Sequence, residues 1–213
     1  MTTAKPKARR PRESGSQGPS AFKTKATRSR RRWLAVKIGA ALVVVAAVGY
    51  ALQNSGPEVD ATQRVAMDFT LPTSEGGTLT LSDLRGRPVI LYFNEGAGCA
   101  SCIYQMAAIE AEPGFQEAGI LVVPVVMDPV DQIRAAAEEF GVLTPFLIDD
   151  GTVSDAYGSL GTGMHPNLPG HGFVLIDADG NQVWKGDYPS MWLEPVELVD
   201  IAQSVLAETG GPK

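Results

Sequence analysis

Residues 88–105 have the sequence PVILYFNEGAGCASCIYQ. Residues 88–94 form a continuous apolar run with β-branched and aromatic side chains, which predicts a strand covered on both faces. Residues 103–112 are compatible with a helix that ends before Pro113 and Gly114. The only two cysteines of the chain, Cys99 and Cys102, are three positions apart at the start of that helix. A buried strand that leads directly into a CxxC pair points to thiol chemistry.

A second apolar run, ILVVPVVM at residues 120–127, predicts another buried strand. Strand, helix and strand in this order imply a parallel pair. The next segment is the clearest helix of the chain, with Asp128 as its N-cap, Pro129 at its first position and Gly141 as its end. Four apolar residues share one face of this helix, namely Val130, Ile133, Ala137 and Phe140.

The remaining segments complete an α/β protein with a central sheet flanked by helices. Residues 69–71 and 78–81, on either side of the turn at residues 74–77, predict an opening hairpin or edge strands. Residues 145–148 predict a short strand and residues 153–157 a helical turn. Residues 172–176 and 182–185 predict an antiparallel hairpin, and a last helix begins at Glu194 and ends at Gly210.

Charge is distributed unevenly along the chain. Of the 18 Lys and Arg residues, 12 lie between Lys5 and Lys37, where Glu13 is the only acidic residue. We expect residues 1–32 to be a disordered basic tail, because they contain few large apolar side chains. Taken alone, the tail is compatible with nucleic acid or anionic lipid binding, and a cytoplasmic topology signal is the simpler interpretation. The chain after Lys37 has six basic and 23 acidic residues, which excludes nucleic acid as its partner.

Residues 33–52, WLAVKIGAALVVVAAVGYAL, are nearly all apolar. At about 1.5 Å per residue, a helix of this length spans a bilayer core. The basic flank predicts a cytoplasmic N-terminus and an extracytoplasmic domain at the cell membrane. SRRRWLA at residues 29–35 is similar to a twin-arginine export signal, so a cleaved signal peptide competes with an uncleaved anchor. Residues 53–65 form a predicted linker, and residues 66–209 the folded domain.

The cysteine pair predicts dithiol and disulfide chemistry. The N–H groups and the dipole of a helix N-terminus stabilise an anion, which gives Cys99 an expected pKa of about 3.5–7.5 and makes it the nucleophile. Cys102, almost one turn later, is placed to attack a mixed disulfide and release the reduced partner. A static disulfide is the first alternative, although so short a loop gains little stability from a bridge. A zinc site is the second, for which His165 and His171 are the available histidines.

Four segments resemble the redoxins of the thioredoxin-like AhpC/TSA superfamily. They are LYFNEGAGCASCIYQ at 91–105, DPVDQIRAAAEEFG at 128–141, PFLIDDGTVSDAYG at 145–158 and GHGFVLIDADGNQVWKGDY at 170–188. The resemblance covers roughly residues 66–208. It implies a thioredoxin fold with an insertion before the hairpin, Cys99 as attacking and Cys102 as resolving cysteine. No cofactor or metal is implied beyond the redox-active disulfide.

The chain also departs from the peroxidatic members of that superfamily. They place a Pro and a Thr or Ser ahead of the attacking cysteine, where this chain has Asn94, Glu95, Gly96, Ala97 and Gly98. An Arg usually assists their chemistry, and none of the domain's arginines stands in a matching motif; these are Arg64, Arg85, Arg87 and Arg134. A peroxiredoxin-type thiol peroxidase is therefore the second hypothesis.

Several residues are candidates for accessory roles. Thioredoxins carry a cis-Pro before the hairpin strand, and by spacing Gly170 occupies that place here, or Pro169 with a shifted register. His171 is the candidate to approach the sulfurs and stabilise the thiolate when protonated, with an ordinary loop histidine as the alternative. Glu95 is a candidate proton acceptor, with a solvated carboxylate as the alternative. Gly98, where thioredoxins have Trp, leaves room for a bulkier substrate.

The sequence thus predicts an extracytoplasmic thiol-disulfide oxidoreductase that works through a mixed disulfide. Its expected partners are disulfides or dithiols of exported proteins, or a membrane thiol electron donor. The third hypothesis is a copper-binding module similar to the Sco proteins, in which Met106, Met127 and Met164 join the cysteines and His171. Core packing explains these methionines more simply.

Overall fold

The structure, a computed structural model, describes residues 23–53 and 57–210. The chain divides into two units, with the boundary between Leu52 and Gln53. The first unit contains helix α1, Lys23–Gln53, in which Arg32–Tyr50 is long and apolar enough to cross a membrane. The helix begins at Lys23, ten residues before the predicted span and inside the predicted tail. Lys and Arg favour helices, and neither Gly nor Pro occurs between Lys23 and Gly39. Residues 1–22 of the predicted tail lie outside the described residues.

The second unit is built from short strands and five further α-helices among its described residues. The strands are β1 Glu58–Asp60, β2 Arg64–Val65, β3 Thr70–Pro72, β4 Thr78–Thr80, β5 Val89–Phe93, β6 Leu121–Val126, β7 Leu147–Ile148, β8 Gly172–Ile176 and β9 Asn181–Asp187. The helices are α2 Ala100–Ala111, α3 Pro113–Glu117, α4 Val130–Phe140, α5 Thr152–Ala156 and α6 Pro195–Thr209. Short 3₁₀ turns cover Leu81–Leu84 and Gly96–Gly98.

The main sheet has the strand order β1-β9-β8-β5-β6-β7, with β2 also paired to β9. Strand β5 is central, since it pairs parallel to β6 and antiparallel to β8. The predicted parallel pair, the hairpin of β8 and β9 and the opening hairpin of β3 and β4 are all confirmed. The α/β fold with a central mixed sheet flanked by helices is therefore the observed one.

Each face of the sheet carries its own apolar core. On one face, Tyr92 and Phe173 pack with Ile103 of α2, Ile133 of α4 and Leu198 of α6. On the other, Phe93 and Val125 pack with Tyr157 at the end of α5 and with residues of the opening hairpin. The five residues of β5 are all buried, as expected for a strand covered on both sides. This arrangement fixes the end of β5, from which the cysteine segment starts.

Two predictions from sequence are wrong. The predicted linker contains two strands, β1 at residues 58–60 and β2 at residues 64–65. Both pair with β9 through main-chain hydrogen bonds, so their side chains show no apolar pattern in the sequence. Asp128 is not the N-cap of α4, a position that Pro129 holds. Its Oδ1 instead accepts the N–H of Ala97 at 3.1 Å. The backbone N–H of this turn requires an acceptor, as do the first N–H groups of the helix.

Candidate functional site

The cysteine segment begins where β5 ends. Asn94 Oδ1 accepts the N–H of Gly96 at 3.0 Å, which turns the chain sharply after the strand. Gly96 has φ +73, and a Cβ there would collide with the Asp128 carboxylate. After the 3₁₀ turn, Cys99 becomes the N-cap of α2. A strand, a glycine turn and a helix start therefore place Cys99 at the carboxyl end of the sheet.

Cys99 and Cys102 form a disulfide, with their Cα atoms 5.3 Å apart. Cys99 is 9% exposed and Cys102 is fully buried, so a partner reaches the Cys99 sulfur first. The Cys102 N–H donates to Cys99 Sγ at 3.3 Å, and Ser101 Oγ lies 3.2 Å from the same sulfur. Such donors favour a thiolate when the bridge is reduced. The predicted order, Cys99 outside and Cys102 behind it, agrees with this geometry.

Cys102 lies against a buried group of aromatic side chains. Its Sγ is 3.7 Å from His171 Nδ1, and that nitrogen is 3.1 Å from Tyr92 Oη. The Tyr92 hydroxyl donates to the Cys102 carbonyl at 3.1 Å. Phe173 stacks on the Tyr92 ring with 4.7 Å between centroids. Because the Tyr92 hydrogen is used on the carbonyl, the Tyr92 oxygen is left as an acceptor toward the imidazole, whose Nε2 lies 3.5 Å away.

Burial sets the protonation of this group. It lowers the pKa of His171 from 6.5 to about 4, and it raises the pKa of Tyr92 well above 10. His171 is therefore uncharged at neutral pH in the disulfide form. The prediction that His171 approaches the sulfurs agrees with the structure, but the expected imidazolium does not, because no carboxylate offsets its desolvation.

The loop that precedes β8 explains the other accessory candidates. Glu95 is buried, and its carboxylate accepts the Met164 N–H at 2.7 Å and contacts His165 Nδ1 at 2.8 Å. The Glu95 carboxylate therefore anchors this loop. Its hydrogen bonds include neither cysteine, so the structure does not support the predicted role as proton acceptor. Every described peptide bond is trans, so Pro169 is not a cis residue. It forms a β-bridge with Leu160 instead.

Gly170 is required for close packing. A Cβ on Gly170 would lie 2.6 Å from Gly163 N, inside the same loop. The position that thioredoxins give to a cis-Pro therefore serves here to bring two loop segments together. The side chain beside the sulfurs is the next one, His171.

Comparison with known proteins follows the geometry. The sequence profile of the AhpC/TSA family matches residues 62–184, more than half of the chain. The chain belongs to the AhpC/TSA family. A Mycobacterium tuberculosis protein assigned to the peroxiredoxins is 31% identical over 121 residues, which cover 54% of this chain and 77% of the relative. The thiol-disulfide oxidoreductase ResA of Bacillus anthracis is 29% identical over 147 residues, covering 67% and 80%.

The fold of this AhpC/TSA domain has solved counterparts. The crystal structure of peroxidoxin BcpB from Mycobacterium tuberculosis superimposes with a TM-score of 0.57 at 24% identity, covering 70% of this chain and 97% of that one. The predicted thioredoxin-like fold is thereby confirmed, as is the class of redox enzyme, to which both kinds of relative belong.

Sequence reasoning missed two residues of the AhpC/TSA site. Tyr92 carries the only hydroxyl in the apolar run of β5, and that isolated polar atom was a usable signal. Asp128 follows β6, the strand parallel to β5, and the carboxyl ends of adjacent parallel strands meet at one edge. Burial raises the pKa of Asp128, whose carboxylate lies under the turn before Cys99.

The methionines of the copper hypothesis do not converge. Met106 is buried in the core with α2, whereas Met164 is 74% exposed. Met127 lies against Gly151, where a Cβ would be 3.1 Å from its Cε. Across residues 23–53 and 57–210, no group of three or more His, Cys, Asp or Glu could hold a metal ion. The histidines of the zinc alternative serve different contacts, His165 with Glu95 and His171 with Tyr92.

Proposed function

We propose that this protein is a membrane-tethered thiol-disulfide oxidoreductase whose AhpC/TSA domain acts outside the cytoplasm through a mixed disulfide. The observation that carries the proposal is the Cys99–Cys102 bridge at the start of α2, in which Cys99 is 9% exposed and Cys102 is fully buried. Its partners are disulfides or dithiols of exported proteins, or a thiol electron donor in the membrane. Disulfides persist in that compartment.

The reaction balances with two thiols and one disulfide. The Cys99 thiolate attacks one sulfur of the partner disulfide, a bond forms between them, and the other partner sulfur leaves as a thiolate. The Cys102 thiolate then attacks Cys99 Sγ and releases the second partner sulfur. The partner gains two electrons, and the enzyme ends as the disulfide seen here. The reverse sequence oxidises a dithiol.

His171 is the proposed proton acceptor for the second step. In the reduced enzyme Cys102 is a buried thiol, which must lose its proton to attack. The uncharged imidazole, with its hydrogen on Nε2, accepts that proton on Nδ1, which lies 3.7 Å from the Cys102 sulfur. The negative charge on the Cys102 sulfur in turn favours the imidazolium. His171 and Cys102 therefore act as a pair during resolution.

The membrane tether rests on α1 and its charges. Arg32–Tyr50 is long and apolar enough to span, and the basic residues precede it. Lys37 Nζ lies 3.8 Å from the centroid of the Trp33 ring, so this charge sits at the basic end of the segment. The excess of positive charge on that side favours a cytoplasmic N-terminus and an extracytoplasmic domain.

Peroxidase activity is the second candidate, which the peroxiredoxin relatives favour. The turn before Cys99 lacks the Pro and the Thr or Ser of peroxidatic redoxins. Two of the domain's arginines are engaged elsewhere, Arg64 with Asp60 and Arg134 with Glu75. A peroxidase would instead oxidise Cys99 to a sulfenate, with transfer of one oxygen atom from the hydroperoxide.

Single cysteine variants of the full chain in detergent test the proposal. With a peptide disulfide, Cys102→Ser should accumulate a covalent adduct on Cys99, because the resolving thiol is missing. Cys99→Ser should form none, and the native enzyme should turn over. Intact-protein mass spectrometry measures all three.

Full disulfide turnover by Cys102→Ser would contradict the mechanism. A midpoint potential below about −300 mV in thiol buffers would make the bridge a structural one. If hydroperoxide but not disulfide oxidises the reduced enzyme, with a sulfenate trapped on Cys99 in Cys102→Ser, the second candidate replaces the first.

A further inference from the structure

An aromatic pair lies next to the cysteines and has no part in either apolar core. Tyr104, two residues after Cys102, is 57% exposed. Its ring stacks on Trp192, with 5.5 Å between centroids and 21° between planes. Both side chains are absent from the two core clusters of buried residues and their packed neighbours. Aromatic side chains that pack on each other outside the core are of the kind enriched at protein interfaces.

The loop that carries Trp192 is fastened beside the cysteines at both ends. The Tyr188 N–H donates to the His171 carbonyl at 2.8 Å. At the other end, the buried Gln105 side chain exchanges two hydrogen bonds of 2.8 Å with the backbone of Leu193. His171 contacts Cys102, and Gln105 follows Cys102 by three residues on α2. Trp192 is therefore held close to the reactive pair.

The backbone and the indole of Trp192 are also constrained. Met191, directly before it, has φ +59, the only positive value at a non-glycine residue in the described part of the chain. Strain of this kind persists where the surroundings impose it, often at functional sites. Trp192 Nε1–H donates to Glu194 Oε1 at 2.8 Å, which fixes the ring's edge and leaves apolar ring surface for contact.

We propose that Tyr104 and Trp192 form the docking surface for the polypeptide segment that carries the substrate disulfide. This inference rests on the proposed function, and it makes polypeptides rather than small disulfides the preferred substrates. Aromatic side chains are enriched in polypeptide contacts, and Tyr104 lies one helical turn after Ala100, the exposed residue that directly follows Cys99. The excess of acidic residues after Lys37 favours neutral or basic segments over acidic ones.

Two matched substrates test the proposal with the full chain in detergent. One is a short peptide with Leu and Lys around a single Cys, blocked as its mixed disulfide with 2-mercaptoethanol. The other is 2-hydroxyethyl disulfide, which has the same leaving group and no peptide. Acid quenching and mass spectrometry give the second-order rate constant of the reduced enzyme with each. In Trp192→Ala and in Tyr104→Ala, the ratio of peptide to small-disulfide rate constants should fall about tenfold.

Leu143→Ala is the matched control, because Leu143 is 88% exposed and its backbone N–H binds Glu110, at the far end of α2 from the cysteines. Its ratio should equal that of the native enzyme, and Trp192→Phe should restore most of the loss. An unchanged ratio in both alanine variants overturns the docking surface. A Glu-flanked peptide that reacts as fast as the Lys-flanked one overturns the charge preference. If the native enzyme reduces neither substrate, the proposed function itself fails, and the docking surface with it.

Discussion

His171 shows how one buried side chain controls a sulfur. It touches Cys102 Sγ and Tyr92 Oη from one nitrogen, in a pocket closed by aromatic rings. Because the ring is buried and held in place, only its protonation state can change at this contact. A residue in this position is expected to affect both stability and the rate of the second thiol exchange.

His171→Phe should weaken the dependence of stability on acid. The pKa of His171 is about 4 in the folded protein against 6.5 when exposed. The unfolded state therefore binds the proton more tightly, and the stabilising contribution is complete above pH 6.5 and is lost as pH falls toward 4. From pH 7 to pH 5 the native protein should lose about 2 kcal/mol more than His171→Phe. Urea unfolding of the disulfide form at both pH values measures this.

The same variant tests the proton-acceptor role. Phe keeps a ring against Tyr92 and Phe173 and removes both nitrogens, so release of the partner from the mixed disulfide should slow about 100-fold at pH 7. The first thiol exchange, at Cys99, provides the internal control and should change far less. Equal slowing of both steps would show that His171 acts only through packing.

The cysteine pair and the lower exposure of Cys102 could be anticipated from the sequence, because helix starts and CxxC spacing act locally. The roles of Glu95, Pro169 and Gly170 could not. They depend on the loop before β8, which the buried Glu95 carboxylate holds through Met164 and His165. Such a contact joins residues almost seventy positions apart and leaves no local pattern.

The start of helix α2 depends on a turn that only glycine fits. Gly96 has φ +73, and the Asp128 carboxylate occupies the place of its Cβ. Gly96→Ala should therefore destabilise the domain by about 1–3 kcal/mol. It should also disturb the N–H groups that face the Cys99 sulfur. Chemical denaturation of the oxidised variant gives the free energy of unfolding.

Gly98→Ala provides the control on the same turn. A Cβ on Gly98 would meet no atom within 4 Å, so this variant should stay within about 0.5 kcal/mol of the native protein. Equal loss in both variants would mean that chain flexibility, and not the Asp128 contact, sets the stability of this segment.

Among the elements, the pattern of apolar residues was sufficient for the buried strands β5 and β6 and for the helix α4. It failed for β1 and β2, which are short and polar and exist because β9 offers them backbone partners. It also misplaced the cap of α4, since Asp128 serves the cysteine turn and not its own helix. Local rules fail where a tertiary contact competes for the same atom.

The complete chain is expected to place its cysteines outside the cytoplasm. In intact bacterial cells treated with a reductant, a membrane-impermeant maleimide should label Cys99, because the basic residues hold the N-terminus inside. A cytoplasmic thiol protein in the same cells should stay unlabelled. Mass spectrometry of the recovered chain identifies the labelled cysteine.

Labelling that appears only after the cells are opened would contradict the orientation. The assay also separates anchor from signal peptide, since an uncleaved chain retains residues 33–52 and stays in the membrane fraction. Detection of a shortened, soluble chain would identify the segment as a cleaved signal peptide.

Strand β1, which the sequence did not predict, has a consequence for contacts between copies of this domain. It forms one edge of the main sheet, and two of its three residues, Glu58 and Asp60, are carboxylates. At the other edge, β7 is only two residues long. Short, charged edges resist pairing with the sheet of a neighbouring copy. Copies of this domain are therefore expected to resist aggregation edge to edge.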